Sequence, residues 1–195
     1  MILGVYFPYT QGQILTEIRS FGNMSYKCFE TDRLHLRPTG IDDAAFILTL
    51  LNTPKWIKYI GKRNVNSKET AIKYIEDRML SQLHKLGYGN YTIINKETQA
   101  KIGTCGLYDR EGLEGIDIGY ALLPAYEKLG YAYEASLAIR DAAKVDFGIN
   151  YLRAITTKDN LSSQKLLEKL QFKYSKIINL PNDPADLMLY DYHHE

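Results

Sequence analysis

A chain of 195 residues, 45% apolar and 24% charged, can bury a core of its own and has the make-up of one soluble domain. Twenty-four Lys and Arg stand against 23 Asp and Glu, so a net charge of +1 gives no argument for a nucleic-acid or membrane partner. No apolar run approaches the roughly 20 residues that a spanning helix needs. The apolar opening MILGVYFPY lacks a basic n-region and is broken by Pro8, a poor secretory signal. A cytoplasmic location is expected, with Cys28 and Cys105 as reduced thiols. His193 and His194 read as a frayed tail rather than a ligand pair, and no metal is implied.

Residues 1–23 show no clear period and are set aside as an N-terminal extension of unknown role, with residues 24–195 as a single domain. RLHLR at 33–37 alternates at period two and predicts a strand that Pro38 ends. A short helix is expected over 42–51, broken by Pro54. Residues 66–86 carry the clearest helical pattern, with Ile72, Ile75, Met79, Leu83 and Leu86 on one face and Asn66 with Glu69 as a capping-box-like start. Residues 90–94 and 102–108 predict a hairpin around a polar turn, and a third strand follows over 113–123, ended by Pro124. A helix is expected over 129–147, with Ala135, Ala138, Ala142 and Val145 on its sheet-facing stripe and Gly148 and Asn150 closing it. A strand over 151–157, a helix over 160–170 capped by Asp159 or Asn160, and strands over 172–180 and 187–192 complete the chain. This order fits a mixed sheet with helices on both faces.

The most informative stretch is 116–135, IDIGYALLPAYEKLGYAYEA. A strand runs into a loop ending at Gly130 and then into a helix. Unpaired N–H groups and the positive end of the helix dipole make such a junction a site for phosphate.

Five segments in order resemble the GCN5-related N-acetyltransferases, and within them the branch of the ribosomal-protein alanine N-acetyltransferases. They are ETDRLHLRP at 30–38, IGT at 102–104, IGY at 118–120, GYAYEA at 130–135, and NLSS at 160–163 with EKLQF at 168–172. The resemblance implies an α/β (α+β) fold with a mixed, mostly antiparallel sheet of six to seven strands. It also implies acetyl-coenzyme A as cosubstrate and a primary amine as acceptor. The pantetheine arm is expected in a V between two splayed strands, pairing with the backbone of Ala121, Leu122 and Leu123. The diphosphate is expected on Lys128, Leu129, Gly130, Tyr131 and Ala132. Two departures stand out. Lys128 occupies a glycine place of the family's loop, and Gln171 occupies the glycine place before Phe172. A side chain at 128 resists positive φ, so the loop is expected either to turn αR-like there or to bind more weakly.

Acetyl transfer needs a neutral amine, a donor for the developing oxyanion and a partner for the leaving thiolate. The backbone N–H near Leu122 is the candidate oxyanion donor. Ser163 is the candidate thiolate partner, with helix capping as its plain alternative; Asn160 is a candidate pantetheine contact or simply an N-cap. Asp117 is the candidate base, with an ordinary salt-bridged aspartate as the alternative, and Tyr120 is an alternative proton donor. Sixteen tyrosines, among them Tyr88, Tyr91, Tyr108, Tyr120 and Tyr190 on or beside strands, line an acceptor pocket or fill the sheet. The expected activity is direct transfer to a protein or peptide N-terminal amine. A small amine such as a polyamine or antibiotic, or coenzyme A binding without turnover, are the rivals. Monomer and homo-oligomer are both left open.

Overall fold

The computed structural model describes residues 15–21, 24–181 and 185–194. Strands β1 (Leu15–Phe21), β2 (Met24–Glu30) and β3 (Leu34–Pro38) come first, followed by helices α1 (Ala44–Leu51), α2 (Pro54–Tyr59), α3 (Lys68–Tyr74) and α4 (Ser81–Leu86). Then come β4 (Asn90–Asn95), β5 (Lys101–Asp109), β6 (Ile116–Leu122), α5 (Tyr131–Phe147), β7 (Tyr151–Thr157), α6 (Leu161–Lys169), β8 (Lys173–Ile178) and β9 (Leu187–His193). Among the described residues the strands form one sheet of nine, in the order β1-β2-β3-β4-β5-β6-β7-β9-β8. Every neighbouring pair is antiparallel except β6 with β7.

The sheet exceeds the expected six to seven strands because β1 and β2 form a hairpin at one edge, in register from Leu15 opposite Glu30 to Phe21 opposite Met24. Residues 15–21, set aside as extension, are thus part of the sheet. The two faces of β6 sort the layers. Ile118, Tyr120 and Leu122 belong to the core under α5 and α6, around Ala135, Ile139 and Leu167. Ala121 and Leu123 pack with the opposite layer, around Ile47, Leu50 and Ile75.

Several local expectations are corrected. Pro54 starts a helix: Thr53 caps α2 by accepting the Trp56 N–H at 3.3 Å, and proline at the first helical position loses no hydrogen bond. The cap of α3 is Ser67, which exchanges hydrogen bonds with Thr70, rather than Asn66 with Glu69. Between α3 and α4 the helix widens to a π-helix over Ile75–Leu80. Ala71, Ile75, Met79 and Leu83 are buried at four-residue steps, which drift around an α-helix; the wider turn returns them to one face. Val145 is 81% exposed, while Ala135, Ala138 and Ala142 are buried as their small size allows. His193 is no frayed tail: it ends β9 opposite Tyr151, with ring centroids 4.5 Å apart.

One buried ion pair ties the turn before α1 to the sheet. Arg37 on β3 places both terminal nitrogens 2.6 Å from the Asp43 carboxylate, and Lys101 adds a third contact at 2.6 Å. Burial alone would raise the Asp43 carboxyl; Arg37, Lys101 and the Gly40 N–H outweigh it and bring it down to about 2.

Candidate active site

The parallel pair β6 and β7 is joined only at Ile116 opposite Leu152 and Asp117 opposite Arg153. Beyond those two residues the strands part, and a cleft of about 520 Å³ opens along β6. Its walls include Gly119, Leu122 and Lys128 on one side, Thr156, Asn160 and Ser163 on the other, and Trp56 and Tyr74 from the α2–α4 layer.

Register decides which backbone groups face the opening. The Leu123 N–H donates to Ile102 O on β5 at 2.9 Å, and Ala121 pairs with Thr104. Antiparallel pairing alternates sides residue by residue, so 121 and 123 are spent on β5, while Tyr120 and Leu122 present N–H and C=O toward the gap. Of the expected backbone trio, only Leu122 turns its N–H and C=O toward the gap, while Ala121 also lines the cleft. The Leu123 carbonyl is also taken, accepting the Tyr126 N–H at 2.9 Å.

Past β6 a short turn, Pro124–Tyr126, leads to the loop 127–130 and the start of α5. Lys128 has φ +60° and Gly130 φ +85°, so the loop keeps its left-handed turn despite the lysine side chain; the αR-like alternative is not adopted. The helix's first hydrogen bond runs from Glu134 N to Gly130 O at 3.1 Å, which leaves the N–H groups of 131–133 outside the helical ladder. Arg33 holds this turn from outside. Its Nη1 donates to Leu129 O at 3.0 Å and its Nε to Glu134 at 2.7 Å, and its guanidinium lies 4.5 Å from the Tyr131 ring centroid. Glu134 also accepts from Thr31 Oγ1 at 2.6 Å and the Arg33 N–H at 2.9 Å. Burial would raise its carboxyl, but Thr31 and Arg33 pull it below its ordinary value. Arg33 lies in the segment ETDRLHLRP, which gave it only the reading of an ordinary strand residue.

Across the opening, Asn160 caps α6 by accepting the Ser163 N–H at 3.3 Å. Ser163 is buried in the first turn and lies against Tyr120. Burial raises the Tyr120 hydroxyl above its ordinary value, and the Ser163 hydroxyl, on the same cleft lining, opposes that without cancelling it. Two candidates from distant parts of the chain therefore meet at one point. Asp117 stands apart, two residues before Gly119 and on the opposite face from Tyr120. Its Oδ2 takes Arg110 Nε at 2.9 Å and Nη2 at 2.6 Å. Its Oδ1 is buried with no well-formed hydrogen bond. Burial raises its carboxyl above the ordinary range, with Arg110 and the Ile155 N–H opposing. The salt-bridged alternative describes its surroundings, yet it lines the cleft beside the Tyr108 ring. That ring lies over Gly119, where an added Cβ would sit 3.1 Å from it.

Helix α2 spans the mouth: Lys55 pairs with Glu127 on the β6 side, and Lys58 with Asp159 on the β7 side at 2.8 Å. The orphaned polar atoms suit a long polar ligand. Trp56 Nε1 and Thr156 Oγ1 belong to cleft-lining residues and are buried without hydrogen-bond partners, and such groups are uncommon unless a ligand or water serves them. Among the described residues no group of three His, Cys, Asp or Glu could hold a metal, and no helix is long and apolar enough to cross a membrane.

A mixed sheet parted between two parallel strands thus opens a cleft beside a helix N-terminus whose first N–H groups lie outside the helical ladder. The chain belongs to the GNAT acetyltransferases: the family model described as "Acetyltransferase (GNAT) domain" matches residues 33–173. It is 32% identical over 146 residues to the uncharacterized N-acetyltransferase p20 of Bacillus licheniformis, covering 73% of this chain and 80% of that one. It is 27% identical over 154 residues to the uncharacterized N-acetyltransferase YoaA of Bacillus subtilis, covering 78% and 86%. The fold is similar to the crystal structure of ribosomal-protein-S5-alanine acetyltransferase from Vibrio fischeri, with a TM-score of 0.72 and 20% identity over 86% of this chain and 97% of that one. The protein is an acetyltransferase of a family that generally uses acetyl-coenzyme A.

Proposed function

We propose that the chain transfers acetyl from acetyl-coenzyme A directly to a primary amine, with a protein or peptide N-terminal α-amine as the acceptor. The observation that carries this reading is the meeting of Tyr120 and Ser163 across the cleft, beside the gap-facing Leu122 backbone. The thioester supplies an acyl carbon already activated for attack. The backbone of 128–132 and the Lys128 ammonium would hold the diphosphate, and Asn160, Tyr120 and Leu122 would position the pantetheine arm. The Leu122 N–H faces the place where negative charge develops on the carbonyl oxygen. Ser163 and Tyr120 are hydroxyl donors for the leaving sulfur, and Tyr120, with its raised pKa, keeps its proton at neutral pH. Cys105 is no nucleophile: it is fully buried and its thiol is pushed up to about 12.

The weakness of the available base favours an α-amine. Asp117 is the carboxylate lining this end of the cleft, and Arg110 holds one of its oxygens. At pH 7 an α-amine of pKa about 8 is neutral roughly a tenth of the time, and a lysine of pKa about 10.4 less than a thousandth. The fold likeness to a ribosomal-protein-alanine acetyltransferase points the same way. Tyrosine walls, with Tyr59, Tyr74 and Tyr108 on the lining, favour a small amine as the second reading. An acceptor screen by mass shift separates the two. Acetylated peptide N termini with intact lysines support the proposal, and acetylation of small amines alone overturns it.

A further inference from the structure

The chain is nearly neutral overall, yet its cleft is not. Five cations line it (Lys55, Arg63, Arg78, Arg110 and Lys128) against two carboxylates, Asp117 and Glu127. Lys55 is matched by Glu127 and Arg110 by Asp117, while Lys128 belongs to the diphosphate loop. Arg63 and Arg78 remain. Arg63 donates to the Ile60 carbonyl at 2.9 Å, and Arg78 makes no hydrogen bond or ion pair among the described residues. The nearest acid along the helix, Asp77, is already bound by Lys73 at 2.9 Å.

Both arginines also line a second, shallower basin with Tyr74, so they form the wall between it and the main cleft. Two features of the chain put them there. Arg78 lies within the π-helical widening Ile75–Leu80, and such widenings commonly aim a side chain at a site. Arg63 sits in a connection held by two left-handed residues, Gly61 at φ +98° and Asn64 at φ +54°. Their neighbour Tyr74 lines the main cleft together with Tyr108, which stands opposite Asp117 on the adjacent strand. That is the start of β6. The diphosphate loop lies beyond its other end, past Leu122, itself about 16 Å from Asp117 at about 3.3 Å per residue. The pair therefore serves the acceptor end.

We infer that Arg63 and Arg78 form an anion subsite that selects acceptors bearing a carboxylate close to the reacting amine, so that the preferred acceptor is an acidic peptide N terminus. The inference rests on the N-terminal-amine reading above. Two guanidiniums without protein anions hold a carboxylate in forked, charge-assisted geometry, and they repel a cationic acceptor.

The test is steady-state thiol release by the full chain at saturating acetyl-coenzyme A. The acceptors are peptides with one N-terminal residue and Glu, Gln or Lys at positions two and three. Glu peptides are expected to exceed Gln peptides about tenfold in kcat/KM, chiefly through KM, with Lys peptides lower still. The double variant R63Q/R78Q is expected to bring the Glu-to-Gln ratio within about twofold of one, while K173Q/K176Q, a matched loss of two charges on the exposed strand β8, keeps it. Equal kcat/KM for all three peptides, a ratio that survives in R63Q/R78Q, or a variant defect confined to the acetyl-coenzyme A KM would each overturn the subsite. If no peptide is acetylated, the N-terminal reading fails instead. The subsite is then judged by the same ratio between amino acids and their amides: a preference for the acids lost in R63Q/R78Q supports it, and equal rates overturn it.

Discussion

Arg33 and Glu134 join the turn before β3 to the first turn of α5 through a contact of 2.7 Å from Nε and one of 2.6 Å from Nη2. The same guanidinium holds the Leu129 carbonyl, so one side chain braces both flanks of Gly130. Glu134 in the first turn of a helix also offsets the dipole there.

This brace sets the shape of the loop proposed to hold the diphosphate. Arg33→Ala is expected to raise the KM for acetyl-coenzyme A about fivefold and to change kcat little. Arg33 is nearly half exposed, which keeps its contribution to global stability below about 1 kcal/mol. Initial-rate kinetics with varied donor, alongside a thermal melt, separate the two effects. A kcat loss without a KM change would show that the brace does not act on the donor.

Lys128 and Gln171 are paired by their backbones. Both stand where the resembling family has glycine, and both keep a left-handed φ, +60° and +68°. Left-handed backbone costs a side-chain-bearing residue on the order of 1 kcal/mol. Lys128→Gly and Gln171→Gly are each expected to leave stability level or raise it by up to about 1 kcal/mol, part of the gain being lost to the freer unfolded chain. Lys128→Val is expected to cost about 1–2 kcal/mol, because a β-branched side chain is least tolerant of this region. Denaturant melts at constant m-value give the comparison.

Asp43 makes stability depend on acid pH. Its folded carboxyl is down at about 2, below its unfolded value of about 3.8. A depressed carboxyl stabilises the fold above the unfolded pKa, and that contribution is lost as pH falls through the folded one. The loss, roughly 2 kcal/mol, should fall between about pH 4 and pH 2. Asp43→Asn should flatten this limb in urea melts across that range, and it should also destabilise the protein at pH 7 by leaving Arg37 buried without its anion.

Much of this was legible in the chain because it rests on local chemistry. The stripe of small residues on α5, Gly130 before its first turn and Asn160 before α6 are each dictated by backbone rules. The π-helical turn was not, because Ile72, Ile75, Met79, Leu83 and Leu86, at steps of three and four, read as an ordinary amphipathic helix. The strand β1 was missed because residues 15–21, LTEIRSF, show no apolar alternation; Met24, Tyr26 and Cys28 on its partner β2 do alternate. Arg33 and Arg78 were passed over for a different reason. Charged side chains usually face water, and only the fold brings one to the α5 turn and the other to the cleft. Register was equally hidden: that Leu122, and not Ala121 or Leu123, faces the gap follows from pairing with β5.

The central claim is that Tyr120 and Ser163 flank the sulfur of an acyl donor during direct transfer to an N-terminal amine. The most direct measurement is thiol release coupled to mass analysis of a peptide acceptor, for the wild-type chain, Ser163→Ala and Tyr120→Phe. The account predicts one acetyl group on the peptide N terminus, with kcat down about tenfold in Ser163→Ala and about tenfold to a hundredfold in Tyr120→Phe, and coenzyme A binding kept in both. Tight coenzyme A binding with no transfer to any amine, or full kcat in both variants, would contradict it.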